Sequence, residues 1–120
     1  MANLGMKGPY PLTKEEVDMR IEVGRKGNYA YGYTNADNVF VVEYVGRSDS
    51  DLNGRIKHGI AKGYKEFKFS YASTVKEAFE KECRNYHDFG GKAKLDNRCH
   101  PDRPDGKDYD CPVDDCDELE

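Results

Sequence analysis

The stretch from Asn28 to Val45 constrains the fold of this chain more than any other part of the sequence. Residues 28–33 alternate tyrosine with smaller side chains, and this period of two predicts a β-strand. Residues 39–45 are almost continuously apolar, which predicts a central strand covered on both faces. The Asn- and Asp-rich residues 35–38 between them favour a turn. We therefore expect the two strands to pair as a β-hairpin.

Helices are predicted on both sides of this hairpin. Before it, Thr13 and Glu16 have the spacing of a capping box, so a helix is expected to begin there and to end near Val23. After it, either Asp49 or Asp51 can cap a second helix. The N-terminal residues before the first helix are rich in glycine and proline and are expected to form a loop.

A third strand and a third helix are predicted in the second half of the chain. Aromatic and polar residues alternate over residues 67–71, which is typical of a strand with one buried face. The helix begins at Ser73 or Thr74 and ends at Gly90. Its apolar residues recur every three or four positions: Val75, Ala78, Phe79, Cys83, Tyr86 and Phe89.

This element order predicts the α+β class, with a small, three-stranded, mostly antiparallel sheet flanked by helices. We expect a loop and helix over residues 1–26, a folded domain over residues 27–101 and an acidic, disordered tail over residues 102–120. Residues 101–120 hold nine acidic and two basic residues, a net charge of −7. Residues 1–100 hold 17 basic and 14 acidic residues, a net charge of +3, which permits phosphate binding.

The remaining sequence signals exclude some classes of protein. No apolar stretch approaches the length of a membrane-spanning helix, so we expect no membrane association of that kind. The first ten residues lack the pattern of a secretory signal, and we expect a cytoplasmic protein. Its cysteines, Cys83, Cys99, Cys111 and Cys116, are accordingly expected to be reduced thiols.

Glu82 is the residue that fits its surroundings least well. Helical spacing from Ala78 and Phe79 places it on the apolar, core-facing side of the third helix. A carboxylate there is costly unless it is paired, hydrogen-bonded or bound to a metal. A structural salt bridge and a catalytic or metal-binding role are both open. Arg55 is a weaker case, since it can lie at the core edge or be an ordinary solvated charge.

The order of several short motifs resembles that of the GIY-YIG nuclease family. The chain carries Gly27-Asn28-Tyr29 on the first hairpin strand, Tyr44-Val45-Gly46 on the second, Arg55 on the next helix, Ala78-x-x-x-Glu82 on the third helix, and Asn97 beyond it. Asn28 departs from the family's aliphatic residue, which suggests a solvent-facing or edge position. The slightly long interval from Tyr29 to Tyr44 suggests a longer hairpin turn.

This resemblance implies a metal-dependent endonuclease that hydrolyses phosphodiester bonds in DNA. Glu82 would bind one Mg²⁺ or Mn²⁺ ion, and Arg55 would hold the phosphate. Tyr29 or Tyr44 would help to deprotonate the attacking water or would only orient it, since a tyrosine pKa near 10 makes a poor base. Further phosphate contacts are expected from Arg47, Lys57 and His58. Asn97 would contribute to substrate binding, act structurally or anchor the metal-binding helix.

Two other functions remain open from the sequence. The chain can be a nucleic-acid-binding module that keeps the fold without turnover. It can also be a zinc-stabilised interaction domain, because Cys99, His100, Cys111 and Cys116 lie close together, although their spacing is not that of paired zinc knuckles. The form of the DNA, branched or damaged, is undetermined, and a protein partner that supplies specificity is conceivable.

Overall fold

The computed structural model describes residues 4–90 and 94–97. These residues form an α+β fold with a four-stranded antiparallel sheet and three helices. In chain order the elements are β1 (Lys7–Pro11), α1 (Lys14–Arg20), β2 (Gly27–Thr34), β3 (Phe40–Ser48), α2 (Leu52–Ala61), β4 (Glu66–Tyr71) and α3 (Val75–Asp88). The strand order across the sheet is β1-β4-β2-β3.

The predicted hairpin is confirmed as the β2–β3 pair. Its turn is built as the sequence suggests, because the Asn35 side chain accepts hydrogen bonds from the backbone N–H groups of Asp37 and Val39. However, β3 lies at the edge of the sheet, so the prediction of a central strand is wrong. Its apolar residues are half-buried over most of the strand, because α2 and α3 both contact it.

A β-bulge interrupts the β2–β3 pairing. Tyr31 pairs with Tyr44, but the next residue, Gly32, pairs with Val42, so β3 contains one extra residue at Glu43. The long interval between the motif tyrosines is therefore taken up partly within β3, and not by the turn alone, as the sequence had suggested.

Strand β1 was not expected, and the sheet has four strands instead of three. It pairs antiparallel with β4 at the opposite edge from β3. Proline is tolerated on an edge strand because its missing N–H group can face away from the ladder. Gly8 adopts a φ of +121°, in the region that favours glycine, where the register of this pair shifts.

Helices cover both faces of the sheet. One face packs against α1 and α2 and includes Tyr29 and Tyr31, whereas the other packs against α3 and includes Ala30 and Val45. Among the described residues, no helix combines the length and apolar character needed to cross a bilayer.

The predicted helix starts are largely confirmed. The hydroxyl groups of Thr13 and Thr74 accept hydrogen bonds from the third residue after them and so cap α1 and α3. Asp51 occupies the N-cap position of α2, but its carboxylate accepts from the Gly24 N–H group instead of capping the helix. Helix α1 ends at Arg20, three residues before the predicted end at Val23.

Asn28 joins the sheet to α3. It is only 1% exposed, and its side-chain amide donates a hydrogen bond of 2.8 Å to the carbonyl oxygen of Ala78. The expectation that this residue faces solvent or an edge is therefore wrong. A buried amide is retained at this position because its donor is satisfied by the helix backbone.

Replacing Asn28 with alanine is expected to lower the free energy of unfolding by about 1–3 kcal/mol, because a buried hydrogen bond is lost. Asn28→Asp is expected to lower the free energy of unfolding further, because it keeps the shape of the side chain but removes the hydrogen-bond donor and buries a charge. Urea denaturation followed by circular dichroism would measure both changes. Midpoints equal to that of the wild-type protein for both variants would show that this contact contributes nothing.

Candidate active site

Four tyrosine rings, those of Tyr29, Tyr31, Tyr44 and Tyr64, lie together on the sheet face that packs against α1 and α2. The rings of Tyr29 and Tyr44 are stacked, with centroids 6.3 Å apart and an interplanar angle of 18°. Tyr31 stacks on Tyr64 at 4.7 Å, and its hydroxyl donates to the carbonyl oxygen of Ile56 at 2.9 Å. Tyr31 thus joins β2 to α2, whereas Tyr44 keeps partial access to solvent.

Gly46 explains why a glycine ends the second motif. A Cβ atom at this position would lie 2.4 Å from Cζ and 2.5 Å from the hydroxyl oxygen of Tyr29. A side chain at this position would require the Tyr29 ring to shift, so the glycine allows the ring to lie against the β3 backbone.

The environment of these tyrosines favours the protonated phenol. Burial is the largest influence on Tyr29 and raises its pKa well above the ordinary value, and the nearby Arg55 only partly offsets this effect. Burial also raises the pKa of Tyr44, Glu82 adds to the rise, and Arg55 again opposes it. Neither hydroxyl is prepared to act as a base at neutral pH. Of the two expected roles, the structure favours orienting a water molecule over deprotonating it.

Arg55 projects from α2 beside this cluster. Its side chain is exposed, and its guanidinium forms no ion pair with any residue that the structure describes. His58 on α2 and Lys62, the residue at its C-cap, follow at helical spacing of three and seven, so all three form a stripe on one side of the helix. The Lys62 ammonium lies 5.3 Å from the ring centroid of Tyr44. This stripe places positive charge next to the tyrosine hydroxyls.

Lys57 lies on a different side of α2. Its ammonium forms an ion pair of 2.6 Å with Asp18 of α1. The structure therefore places the charge of Lys57, which was expected to contact phosphate, against α1. The lysine that lies next to the tyrosine cluster is Lys62, and not Lys57, which the sequence had suggested as a phosphate contact. The spacing from Arg55 was the signal that could have identified Lys62.

Glu82 is buried on α3 and forms an ion pair. The Arg47 guanidinium donates to its Oε1 atom at 2.5 Å, and both side chains are 11% exposed. Arg47 also pairs with Asp49 at 2.9 Å. Burial acts to lower the pKa of Arg47, but the two carboxylates outweigh it and hold the pKa above its ordinary value. The salt bridge that the sequence left open for Glu82 is therefore present.

The four predicted catalytic residues approach one another around an edge of the sheet, not on a single face. Tyr29 and Tyr44 face α2, whereas Glu82 comes from α3 on the opposite side. Strand β3 separates them and is the last strand at this edge. Glu82 nevertheless lies close enough to raise the pKa of both tyrosines.

The donor set around Glu82 fits only one kind of metal site. The described residues contain no group of three or more His, Cys, Asp or Glu side chains able to hold an ion. Mg²⁺ does not require such a cage, because one carboxylate with waters and substrate phosphate oxygens can suffice. Glu82 meets this requirement, but Arg47 competes for the same carboxylate. The proposed zinc ligands Cys99, His100, Cys111 and Cys116 lie outside the described residues.

Asn97 reinforces the edge strand. Its side-chain amide accepts from the Val45 N–H group at 3.0 Å and donates to the Val45 carbonyl oxygen at 2.7 Å. The neighbouring Asp96 N–H group donates to the carbonyl oxygen of Glu43 at 2.6 Å. The structural role of Asn97 is therefore to hold β3 through these hydrogen bonds, which do not reach α3. A buried amide that satisfies both atoms on backbone has little capacity left for a substrate.

Comparisons of the chain with protein-family models, with curated proteins and with solved structures found no match. The resemblance to the GIY-YIG family therefore rests on the sequence motifs alone. The structure provides an α+β scaffold with an antiparallel sheet. The activity, the metal and the roles of individual residues remain proposals.

The Arg47–Glu82 pair is expected to stabilise the fold. Arg47→Met should lower the free energy of unfolding by about 3 kcal/mol, because it leaves a mostly buried carboxylate without this partner. Glu82→Gln should lower the free energy of unfolding by less, because Arg47 keeps its ion pair with Asp49. Denaturation of both single variants and the double variant gives the coupling energy directly. Strictly additive effects would show that the two side chains do not interact in solution.

Proposed function

We propose that this chain is a metal-dependent endonuclease of GIY-YIG type that hydrolyses phosphodiester bonds in DNA. The observation that carries the proposal is the exposed Arg55 guanidinium beside the stacked Tyr29 and Tyr44, with Glu82 in electrostatic range of both rings. Such a combination of cation, phenols and carboxylate is typical of a site for an anionic substrate that reacts with water. The motif order along the chain supports the same assignment.

Phosphate binding is assigned to the positive stripe on α2. Arg55 offers a planar fork of donors that matches two phosphate oxygens, and Lys62 adds a second positive charge over Tyr44. His58, which is exposed on the same stripe, can add a further contact. The net charge of +3 on residues 1–100 favours association with a nucleic-acid backbone.

The tyrosines then position the attacking water. Because both phenols are protonated at neutral pH, each hydroxyl can hydrogen-bond to the water or to a phosphate oxygen without exchanging charge. The water oxygen bonds to phosphorus and releases one proton to solvent, the bond to the leaving ester oxygen breaks, and that oxygen takes up a proton from solvent. Arg55 stabilises the negative charge that grows on the phosphate oxygens. A Mg²⁺ or Mn²⁺ ion held by Glu82 would, when bound, neutralise charge on the same phosphate.

A second candidate is a nucleic-acid-binding module without turnover. The Arg47–Glu82 ion pair favours it, because the only carboxylate assigned to the metal is already neutralised by a guanidinium 2.5 Å away. In that case Arg55 and Lys62 would still bind the phosphate backbone. This candidate and the nuclease share a binding surface and differ in whether a cation displaces Arg47.

The nuclease proposal is tested by cleavage of labelled single-stranded, duplex, flapped and branched DNA with Mg²⁺ or Mn²⁺. Arg55→Ala is expected to reduce the cleavage rate by about 100-fold or more, as for other groups that stabilise transition-state charge. Glu82→Gln should abolish metal-dependent cleavage while circular dichroism shows a folded protein.

Arg20→Ala serves as the matched control, because Arg20 is an exposed arginine on α1 that pairs with Glu16. It should cleave like the wild-type protein. DNA binding and Mn²⁺ binding, the latter by electron paramagnetic resonance, are measured in parallel. Binding of DNA with no cleavage of any substrate, and no Mn²⁺ binding that depends on Glu82, would reject the nuclease in favour of the binding module.

A further inference from the structure

A cleft of about 450 Å³ opens next to the tyrosine cluster, at the ends of β2 and α2. We refer to it as the Tyr33 cleft. It is lined by Tyr33, Glu43, Lys62, Tyr64, Lys65 and Asp96. Its size lies within the range of pockets that bind small molecules. None of the roles assigned above uses it as a binding site.

The aromatic part of the cleft has one fixed ring and one accessible ring. Tyr64 is held by its stacking on Tyr31 and by a hydrogen bond of 2.8 Å from its hydroxyl to Asp96. Tyr33 lies near the end of β2 and is 39% exposed. An accessible tyrosine ring is a surface on which a flat aromatic ligand can stack.

Two carboxylates lie close together in the same cleft. The backbone N–H group of Asp96 donates to the Glu43 carbonyl oxygen at 2.6 Å, which fixes the two residues side by side. Burial raises the pKa of Glu43, and the charge of Asp96 raises it further. Two acceptor groups held at one place suit a ligand that presents N–H donors.

Positive charge completes the lining and links the cleft to the candidate active site. Lys62 and Lys65 contribute two ammonium groups to the cleft. Lys62 also lies 5.3 Å from the centroid of the Tyr44 ring, and the rings of Tyr44 and Tyr64 are 6.3 Å apart. A ligand in the cleft would therefore be a direct neighbour of a phosphate held over Tyr44.

We propose that the Tyr33 cleft receives one unpaired nucleotide adjacent to the scissile phosphate. Its base stacks on Tyr33, its exocyclic amino group donates to Glu43 or Asp96, and its phosphate contacts the lysines. A nucleotide is the ligand that joins a flat ring, amino donors and an anion in one unit. The inference rests on the proposed function and names its substrate class, which is DNA with an unpaired amino-bearing base (adenine, cytosine or guanine) at the cleavage position.

The test is equilibrium binding of the full chain to labelled hairpins in the presence of a chelator, so that no cleavage occurs. The hairpins are identical except for one bulged position that carries adenine, thymine or an abasic sugar, with a fully paired hairpin as reference. Wild-type protein should bind the adenine bulge about tenfold more tightly than the abasic bulge, because a stacked base is lost in the latter. Thymine should fall between them, because it lacks the amino group.

Three variants at two positions locate the effect in the cleft. Tyr33→Ala should bind the adenine and abasic hairpins equally, whereas Tyr33→Phe should keep the wild-type preference because the ring remains. Glu43→Gln should keep the preference over the abasic site but should lose most of the discrimination between adenine and thymine, since an amide can pair with either. Both positions are outside the hydrophobic core, and circular dichroism would check the fold of each variant.

The outcomes separate this inference from the function on which it rests. Equal binding of all bulges by the wild-type protein, or an adenine preference that survives Tyr33→Ala, would overturn the inference. Cleavage of paired DNA in Mg²⁺ would in that case leave the nuclease proposal standing. Competition by free adenosine monophosphate that Tyr33→Ala abolishes, without any preference among the hairpins, would also overturn it, because the cleft would then serve a free nucleotide.

Discussion

Strand β2 is hydrogen-bonded on both sides, to β3 and to β4, and this pairing fixes the position of almost every residue discussed above. Its alternation sends the tyrosines towards α1 and α2, and Asn28 and Ala30 towards α3. Because side chains alternate between the two faces of a strand, a slip of one residue would move every tyrosine to the opposite face. The stacked tyrosine rings, the Tyr33 cleft and the hydrogen bond from Asn28 to α3 all depend on that register.

The electrostatics of the site are organised around the edge strand instead of within a single pocket. Glu82 and Arg47 form a mostly buried pair behind β3, and Arg55 stands exposed in front of it. The negative charge of Glu82 acts on the tyrosines through its electrostatic potential more than through direct contact. Together with burial, it raises the pKa of both phenols and so keeps them protonated. Any cation that binds there must compete with a guanidinium already in place. If the site acts as proposed, its affinity for metal would depend on Arg47 as well as on Glu82.

Local chemistry allowed much of the fold to be predicted, and long-range pairing explains most of what was missed. Thr13 and Thr74 cap their helices through hydrogen bonds spanning three residues, which the sequence displays directly. Strand β1 has a loop-like composition, and only its partner β4, more than fifty residues later, makes it a strand. In the site, Glu82 was identifiable from helical phase alone, but its partner Arg47 was not. Tyr64 lacked any signal, because its stacking on Tyr31 is a tertiary contact of a loop residue.

The extra residue at Glu43 has a consequence for how this sequence tolerates change. On either side of it β3 alternates in opposite phase, so Val42 packs on the α3 side while Tyr44 faces α2. The strand can therefore supply apolar contacts to one layer and a tyrosine to the other within three residues. Deleting Glu43 would make Val42 and Tyr44 adjacent, and adjacent residues of a regular strand face opposite sides of the sheet. The pairs Gly32–Val42 and Tyr31–Tyr44 would then follow each other without a bulge. Both the hydrophobic core and the tyrosine would therefore keep their faces, and the strand would lose only its bulge.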